Sequence, residues 1–334
     1  MLQLHFSFAQ QTSTDTSWKL KYQQQGIPVP PFPQSLTVAQ DGSGDYKTIQ
    51  EAVNAVRELS QVQVIIYIKP GVYREKLIIP SWKKNIFLKG ESSETTIITN
   101  SDYSGKQNPG GSDQFGRSKH STYTSYTVLV QGSDFKAEDL TIENRAGRVG
   151  QAVALHVEGD RAVIIRCRLL GNQDTLYTAT SESRQFYRDC YIEGTTDFIF
   201  GEATCLFKNC LIKSLSNSYI TAAATSAAQP FGYVFMECSL VADSNVTKCF
   251  LGRPWRPNAK TVFLYSGLGV HIVPRGWNNW NNPANEKSVL YAEYQNSGPG
   301  AQTASRVKWS KQLTKKEAAA YKIERIFNGW IPEP

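Results

Sequence analysis

The sequence predicts an all-β fold, a parallel β-helix or solenoid, and two observations carry that prediction. The first is a short unit that repeats around cysteine: Ile165-Arg166-Cys167-Arg168-Leu169, Arg188-Asp189-Cys190-Tyr191-Ile192, Lys208-Asn209-Cys210-Leu211-Ile212 and Met236-Glu237-Cys238-Ser239-Leu240. An earlier copy, Glu138-Asp139-Leu140-Thr141-Ile142, has Leu140 in the cysteine slot. The cysteine slots lie 23, 20 and 28 residues apart (167 to 190, 190 to 210, 210 to 238). At such a period each unit buries its apolar face only against its neighbours. The second observation is the character of the intervening chain. Residues 153–157, 162–165, 186–187, 198–200, 206–207 and 233–235 are short runs rich in β-branched and aromatic residues, with Gly, Asn, Asp, Thr and Ser between them where turns need them. No helical pattern intervenes, so each turn of chain would give one strand to each of several sheets, with adjacent turns about 4.8 Å apart.

The elements follow in order. Residues 1–34 are polar, then rich in proline (Pro28, Pro30, Pro31, Pro33), and read as an extended lead-in. Their first ten residues resemble the tail of a signal peptide, without a basic n-region. Residues 36–39 form a short strand. Residues 46–59 form a helix: Thr48 and Glu51 make a capping box, and Ile49, Ala52, Val53 and Val56 make one apolar stripe. That helix is expected to cap the open end of the solenoid, which would otherwise be a sticky edge. Strands follow at 64–68, 77–79, 86–88 and 96–99. Residues 103–119, with Gly105, Gly110, Gly111 and Gly116, are a loop insertion. Strands resume at 128–131 and 140–142, and the repeats run to about residue 275. The tail contains a short helix near residues 315–326, opened by Thr314 and Glu317 as a second capping box. No composition break marks a linker, so residues 35–334 are expected to be one domain.

The in-register cysteines should form an inward ladder of small apolar side chains. A disulfide between stacked Cys190 and Cys210 is an open alternative, since their Cα atoms would lie near bridging range. The six cysteines include no C-x-x-C pair, so no zinc site and no other cofactor is expected.

The formal charge of +7 suggests a polyanionic partner. No basic helix or run of five Lys or Arg occurs, which argues against nucleic acid and a membrane surface. No stretch approaches the roughly 18 apolar residues of a membrane span. Sixteen Tyr, fifteen Phe and seven Trp leave aromatic faces free for a surface, and such faces suit sugar rings.

Seven residues past the cysteines stand Asp174, Asp197, Asn217 and Asn245. If the units stack, Asp174 and Asp197 are neighbours, and two adjacent carboxyls cannot both ionise freely. Around them lie Gly171-Asn172-Gln173-Asp174-Thr175-Leu176-Tyr177 and Gly194-Thr195-Thr196-Asp197-Phe198-Ile199-Phe200-Gly201. Gln151 precedes them by one repeat, and Leu251-Gly252-Arg253-Pro254-Trp255 follows. The set comprises two carboxyls, two neutral amides, an arginine and aromatics. No G-x-S-x-G elbow is present, which argues against a serine hydrolase. Phe198 and Phe200 alternate with Ile199, and Phe200 is the one assigned to the core. His156 and His271 are assigned structural roles.

These motifs, with Gly71-Val72-Tyr73-Arg74-Glu75 and Tyr294-Gln295-Asn296-Ser297-Gly298-Pro299-Gly300-Ala301, resemble the pectin methylesterases (pectinesterases) over most of residues 35–310. The resemblance implies a right-handed β-helix that removes methyl esters from pectin, giving pectate and methanol through an aspartyl acyl-enzyme. It implies Asp197 as nucleophile, Asp174 as general acid/base, Gln151 and Gln173 as oxyanion-stabilising amides, and Arg253 as the group that holds the nucleophile. Substrate contacts are expected from Thr122, Gln151, Arg253, Trp255, Tyr177 and Phe198. The partner is then methyl-esterified pectin, and the protein a secreted, extracellular or periplasmic monomer. Two alternatives remain on the sequence: a pectin-binding β-helix without turnover, and a related esterase acting on another ester. A pectate lyase or polygalacturonase would need a calcium-carboxylate cluster or further acids that the sequence does not show.

Overall fold

The structure, a computed structural model, describes residues 32–113 and 116–333. The lead-in and the signal-peptide reading therefore fall mostly outside the described residues. Three parallel sheets of eleven, seven and eight strands wind into a right-handed β-helix. Seven successive turns each give one strand to each sheet, as in Arg184–Arg188, Tyr191–Gly194 and Ile199–Gly201, followed by Thr204–Lys208, Leu211–Ser214 and Tyr219–Ala223.

The polar residue before each cysteine slot has a backbone reason. Asp139, Arg166, Asp189, Asn209 and Glu237 all have φ between 49° and 58°. This is the left-handed corner where the chain leaves the eleven-stranded sheet for the eight-stranded one, and Asp and Asn tolerate it best. The corner side chains tie turn to turn: Arg166 Nε donates to Asp139 at 2.8 Å, and Asn209 Nδ2 to Asp189 at 2.6 Å.

Inside, side chains stack in register. Tyr187, Phe207, Phe235 and Phe263 form an aromatic column with centroids 4.4–4.8 Å apart. Cys167, Cys190, Cys210 and Cys238 form the expected inward ladder, all buried. The disulfide alternative is overturned: all six cysteines are free. The ladder thiols donate to backbone carbonyls instead, Cys190 to Ile164 O at 3.4 Å and Cys210 to Tyr187 O at 3.6 Å. Burial pushes the Cys167 and Cys210 thiols well up, so they stay protonated.

The N-terminal helix spans Ile49–Ala55, shorter than expected, because Val56 turns extended. Its Thr48–Glu51 capping box forms, and Ile49, Ala52 and Val53 enter the core. The expected tail helix is instead two, Lys315–Ala318 and Ile323–Ile326. Ala318, Ile326 and Phe327 pack with Val163, Phe186, Leu206 and Val262 on the outer face of the eleven-stranded sheet. Strands Ala162–Ile165, Arg184–Arg188, Thr204–Lys208, Tyr233–Met236 and Lys260–Leu264 are thus covered on both faces, which explains their apolar residues at successive positions.

Candidate active site

The seven-stranded sheet carries the site. On its outer face one column runs in register from Ile78 through Leu129, His156, Tyr177, Phe200 and Ala222 to Arg253. Asp174 and Asp197 stand at the turn into this sheet, two residues before strands Leu176–Thr178 and Ile199–Gly201. Both have left-handed backbones, φ 65° and 49°. Asp174 N–H donates to Thr196 O at 3.1 Å and Asp197 N–H to Tyr219 O at 2.8 Å, so the two occupy the same position of successive turns.

Gln151 and Gln173 face each other through a slip of the ladder. Leu155 pairs with Leu176, an offset of 21, whereas Gln151 pairs with Gln173, an offset of 22. The slip sits at Ala154 and Leu155, whose N–H groups both donate to Thr175 O at 2.8 and 3.2 Å. Such a bulge re-aims the side chains beside it.

A cavity of about 290 Å³ gathers the predicted residues Gln151, Gln173, Asp174, Asp197, Arg253, Thr122 and Trp255. Two predictions fail to reach it. Phe198 is fully buried in the main core, while Phe200 lines the cavity, the reverse of the assignment from alternation. The alternation argument began one residue early: Phe198 precedes the strand, at the corner set by Asp197, and fits into the space left by Gly194. Tyr177 stacks on Phe200 with centroids 4.6 Å apart and borders a neighbouring concavity of about 520 Å³, beside Tyr123, Glu158, Glu182 and Glu202. His156 packs at 4.5 Å on Tyr177 and lies 3.2 Å from Glu158. Trp280 also lines the cavity and was missed, because it lies beyond the last repeat and nothing in the repeat pattern marks it.

The two carboxyls have different surroundings. Arg253 Nε and Nη2 donate to Asp197 Oδ1 and Oδ2 at 2.9 and 2.6 Å. Arg253 by itself lowers Asp197, but burial outweighs it and leaves Asp197 above its ordinary value. Asp174 has no such partner. Burial, then the charge of Asp197, push it up to about 8. Within the pair, burial and the neighbouring charge favour the proton on Asp174, while the Arg253 fork favours the charge on Asp197. Among the described residues no group of three or more His, Cys, Asp or Glu is arranged to hold a metal ion.

The chain matches the family Pectinesterase over residues 35–329. It belongs to the pectinesterase family. Among family members, pectinesterase 31 of Arabidopsis thaliana is 39% identical over 289 residues, covering 86% of this chain and 90% of that protein. Probable pectinesterase/pectinesterase inhibitor 23 of the same plant is 37% identical over 320 residues, covering 91% of this chain. The chain spans about half the length of that relative, 54%. Among solved pectinesterase structures, the pectin methylesterase from carrot superposes with a TM-score of 0.80 at 37% identity, covering 90% of this chain and 95% of that one. A pectin methylesterase in complex with hexasaccharide VII superposes with a TM-score of 0.77 at 30% identity, covering 91% of this chain and all of that one.

Proposed function

We propose that this chain hydrolyses the methyl esters of pectin, releasing methanol and leaving free carboxylates. One observation carries the reading: a carboxylate held in a two-bond arginine fork and a second buried carboxyl with no such partner line one cavity together with two glutamines. Asp197, fixed and ionised, attacks the ester carbonyl carbon. The tetrahedral oxyanion meets the side-chain N–H groups of Gln151 and Gln173; one such donor is worth roughly 10²–10³ in rate. As the carbon–oxygen bond to the alcohol breaks, Asp174 gives its proton to departing methanol, leaving an acyl-enzyme on Asp197. Asp174, now a carboxylate, takes a proton from water, and the hydroxide formed cleaves the acyl bond. Asp197 leaves as a carboxylate and Asp174 ends protonated.

Trp255, Thr122 and the neighbouring concavity with Tyr177 and Tyr123 offer the flat and polar contacts a polysaccharide chain needs. The relatives' names and the oligosaccharide complex of a similar structure support the same substrate. Since one chain supplies every residue of the set, we read the enzyme as a monomer, exported to where pectin is.

The test is methanol release from highly methyl-esterified pectin by the wild type and by Asp197→Ala. Methanol from the wild type alone supports the reading. Equal release by both discards Asp197 as nucleophile. Tight binding of pectin without methanol from either would favour a binding protein.

A further inference from the structure

We propose that Tyr219 and Trp280 are positioning residues for the nucleophile, clamping the Arg253 guanidinium between their rings so that its edge stays aimed at Asp197. The inference rests on the reading of Asp197 above. Arg253 Cζ lies 3.9 Å from the Tyr219 ring centroid and 3.7 Å from that of Trp280. Its Nε and Nη2 edge makes the two bonds to Asp197, and the Tyr219 and Trp280 rings both lie against the guanidinium. A guanidinium is weakly hydrated and stacks well, and a two-bond fork works only while guanidinium and carboxylate stay coplanar. Two rings hold that plane and shield part of the charge that offsets the burial of Asp197.

Each ring is itself tied to the pair. The Tyr219 carbonyl accepts the Asp197 N–H at 2.8 Å, so one residue fixes the nucleophile through its backbone and the arginine through its ring. Trp280 is delivered by the segment after the last complete turn. Leu251 N–H donates to Gly276 O at 2.8 Å and Asn278 N–H to Gly252 O at 3.1 Å, which stitches that segment to the strand carrying Arg253. The Trp280 N–H then donates to Asn278 Oδ1 at 2.7 Å. Trp280 has φ 59°, a left-handed backbone that a bulky residue adopts only when its surroundings enforce it. The enforcement reaches further back. Trp277 Nε1 donates to Glu293 Oε1 at 3.4 Å, and Glu293 is locked to Arg306 by bonds of 2.7 and 3.1 Å, their side chains 1% and 3% exposed. Arg306 also donates to Pro274 O at 3.0 Å. The tail thus braces the clamp on the nucleophile.

The alternative role for Trp280 is a platform for the sugar ring, and the experiment separates the two. Methanol release is followed against pH for wild type, Trp280→Leu and Trp280→Phe, and the Asp197 carboxyl is titrated by carbon NMR in the same proteins. Loss of a desolvated ring–cation contact should lower kcat roughly 3–30-fold in Trp280→Leu. The acid limb of its profile and the Asp197 titration should move to higher pH, and Trp280→Phe should recover most of both. A rise in KM alone, with limb and titration unmoved, would leave only the sugar platform and overturn the proposal. Tyr219→Leu against Tyr219→Phe repeats the test from the other face if Trp280→Leu fails to fold. The titration decides even where no methanol appears: an unchanged Asp197 overturns the clamp, whereas a silent wild type overturns only the ester reading.

Discussion

Arg253 grips Asp197 with two bonds of 2.9 and 2.6 Å, while Asp174, the equivalent residue one turn earlier, has no cation bound to it. Identical side chains at identical places in the repeat thereby sit in unlike electrostatic surroundings, and the predictions start from that difference.

Arg253→Lys keeps the charge but loses the fork. We expect kcat to fall about 10²-fold, of the order seen for loss of one well-placed electrostatic group. Arg253→Ala strands a buried carboxylate, which typically costs about 3–5 kcal/mol. Urea unfolding should show that loss at pH 7 and a smaller one at acid pH, where Asp197 is protonated without its partner.

Asp174 sets an alkaline limit. In the proposed mechanism its proton goes to departing methanol, so kcat should decline as pH rises through about 8. Stability follows the same group. Between the unfolded value near 4 and the folded value near 8 the native state binds the extra proton, so stability falls as pH rises through that window. Asp174→Asn should be inactive yet melt higher than wild type, with a margin that grows from pH 5 to pH 9 and exceeds about 2 °C. A margin that shrinks with pH would contradict this assignment.

The glutamines should act on the transition state. Gln151→Ala and Gln173→Ala are each expected to lower kcat roughly 10²–10³-fold with KM little changed. Steady-state rates on one pectin preparation suffice, since an effect confined to KM would make them simple binding groups.

Phe198 and Phe200 should part company. Phe198→Ala opens a hole in the core and should cost about 3–5 kcal/mol, read by denaturant titration. Phe200→Leu should keep most stability and change KM. Gly194→Ala should also destabilise, by about 1–3 kcal/mol, because a methyl there overlaps Phe198 Cβ and comes within 2.6 Å of Asn172 O.

Much of this was legible in the sequence because a solenoid writes its architecture as a period. The cysteine slot gave the inward ladder, and the residue seven places on brought Asp174 and Asp197 together. What the period could not show is whatever breaks it. The one-residue slip opposite Thr175 aims Gln151, and no local residue announces it. The left-handed backbone at Asp197 interrupts the alternation that would place Phe198 outside. Trp280 arrives from a segment held by Glu293 and Arg306, a contact between distant parts of the chain that carries no repeat signature. The cysteine pair failed in another way: stacking brings sulfurs close, yet a buried thiol finds a carbonyl of the turn before it.

The matched placement of Asp174 and Asp197 on successive turns has a consequence for how such a site could change. Their backbones are separated by the inter-strand spacing of a parallel sheet, about 4.8 Å, which backbone hydrogen bonding fixes whatever the side chains are. The distance between the two aspartates is in effect a lattice constant. Mutation can lengthen the loops at either corner, recolour the groove or exchange the aromatics, and the two carboxyls keep their interval. Only a residue slipped into the ladder itself would alter it, and the slip that aims Gln151 lies one turn short of the pair.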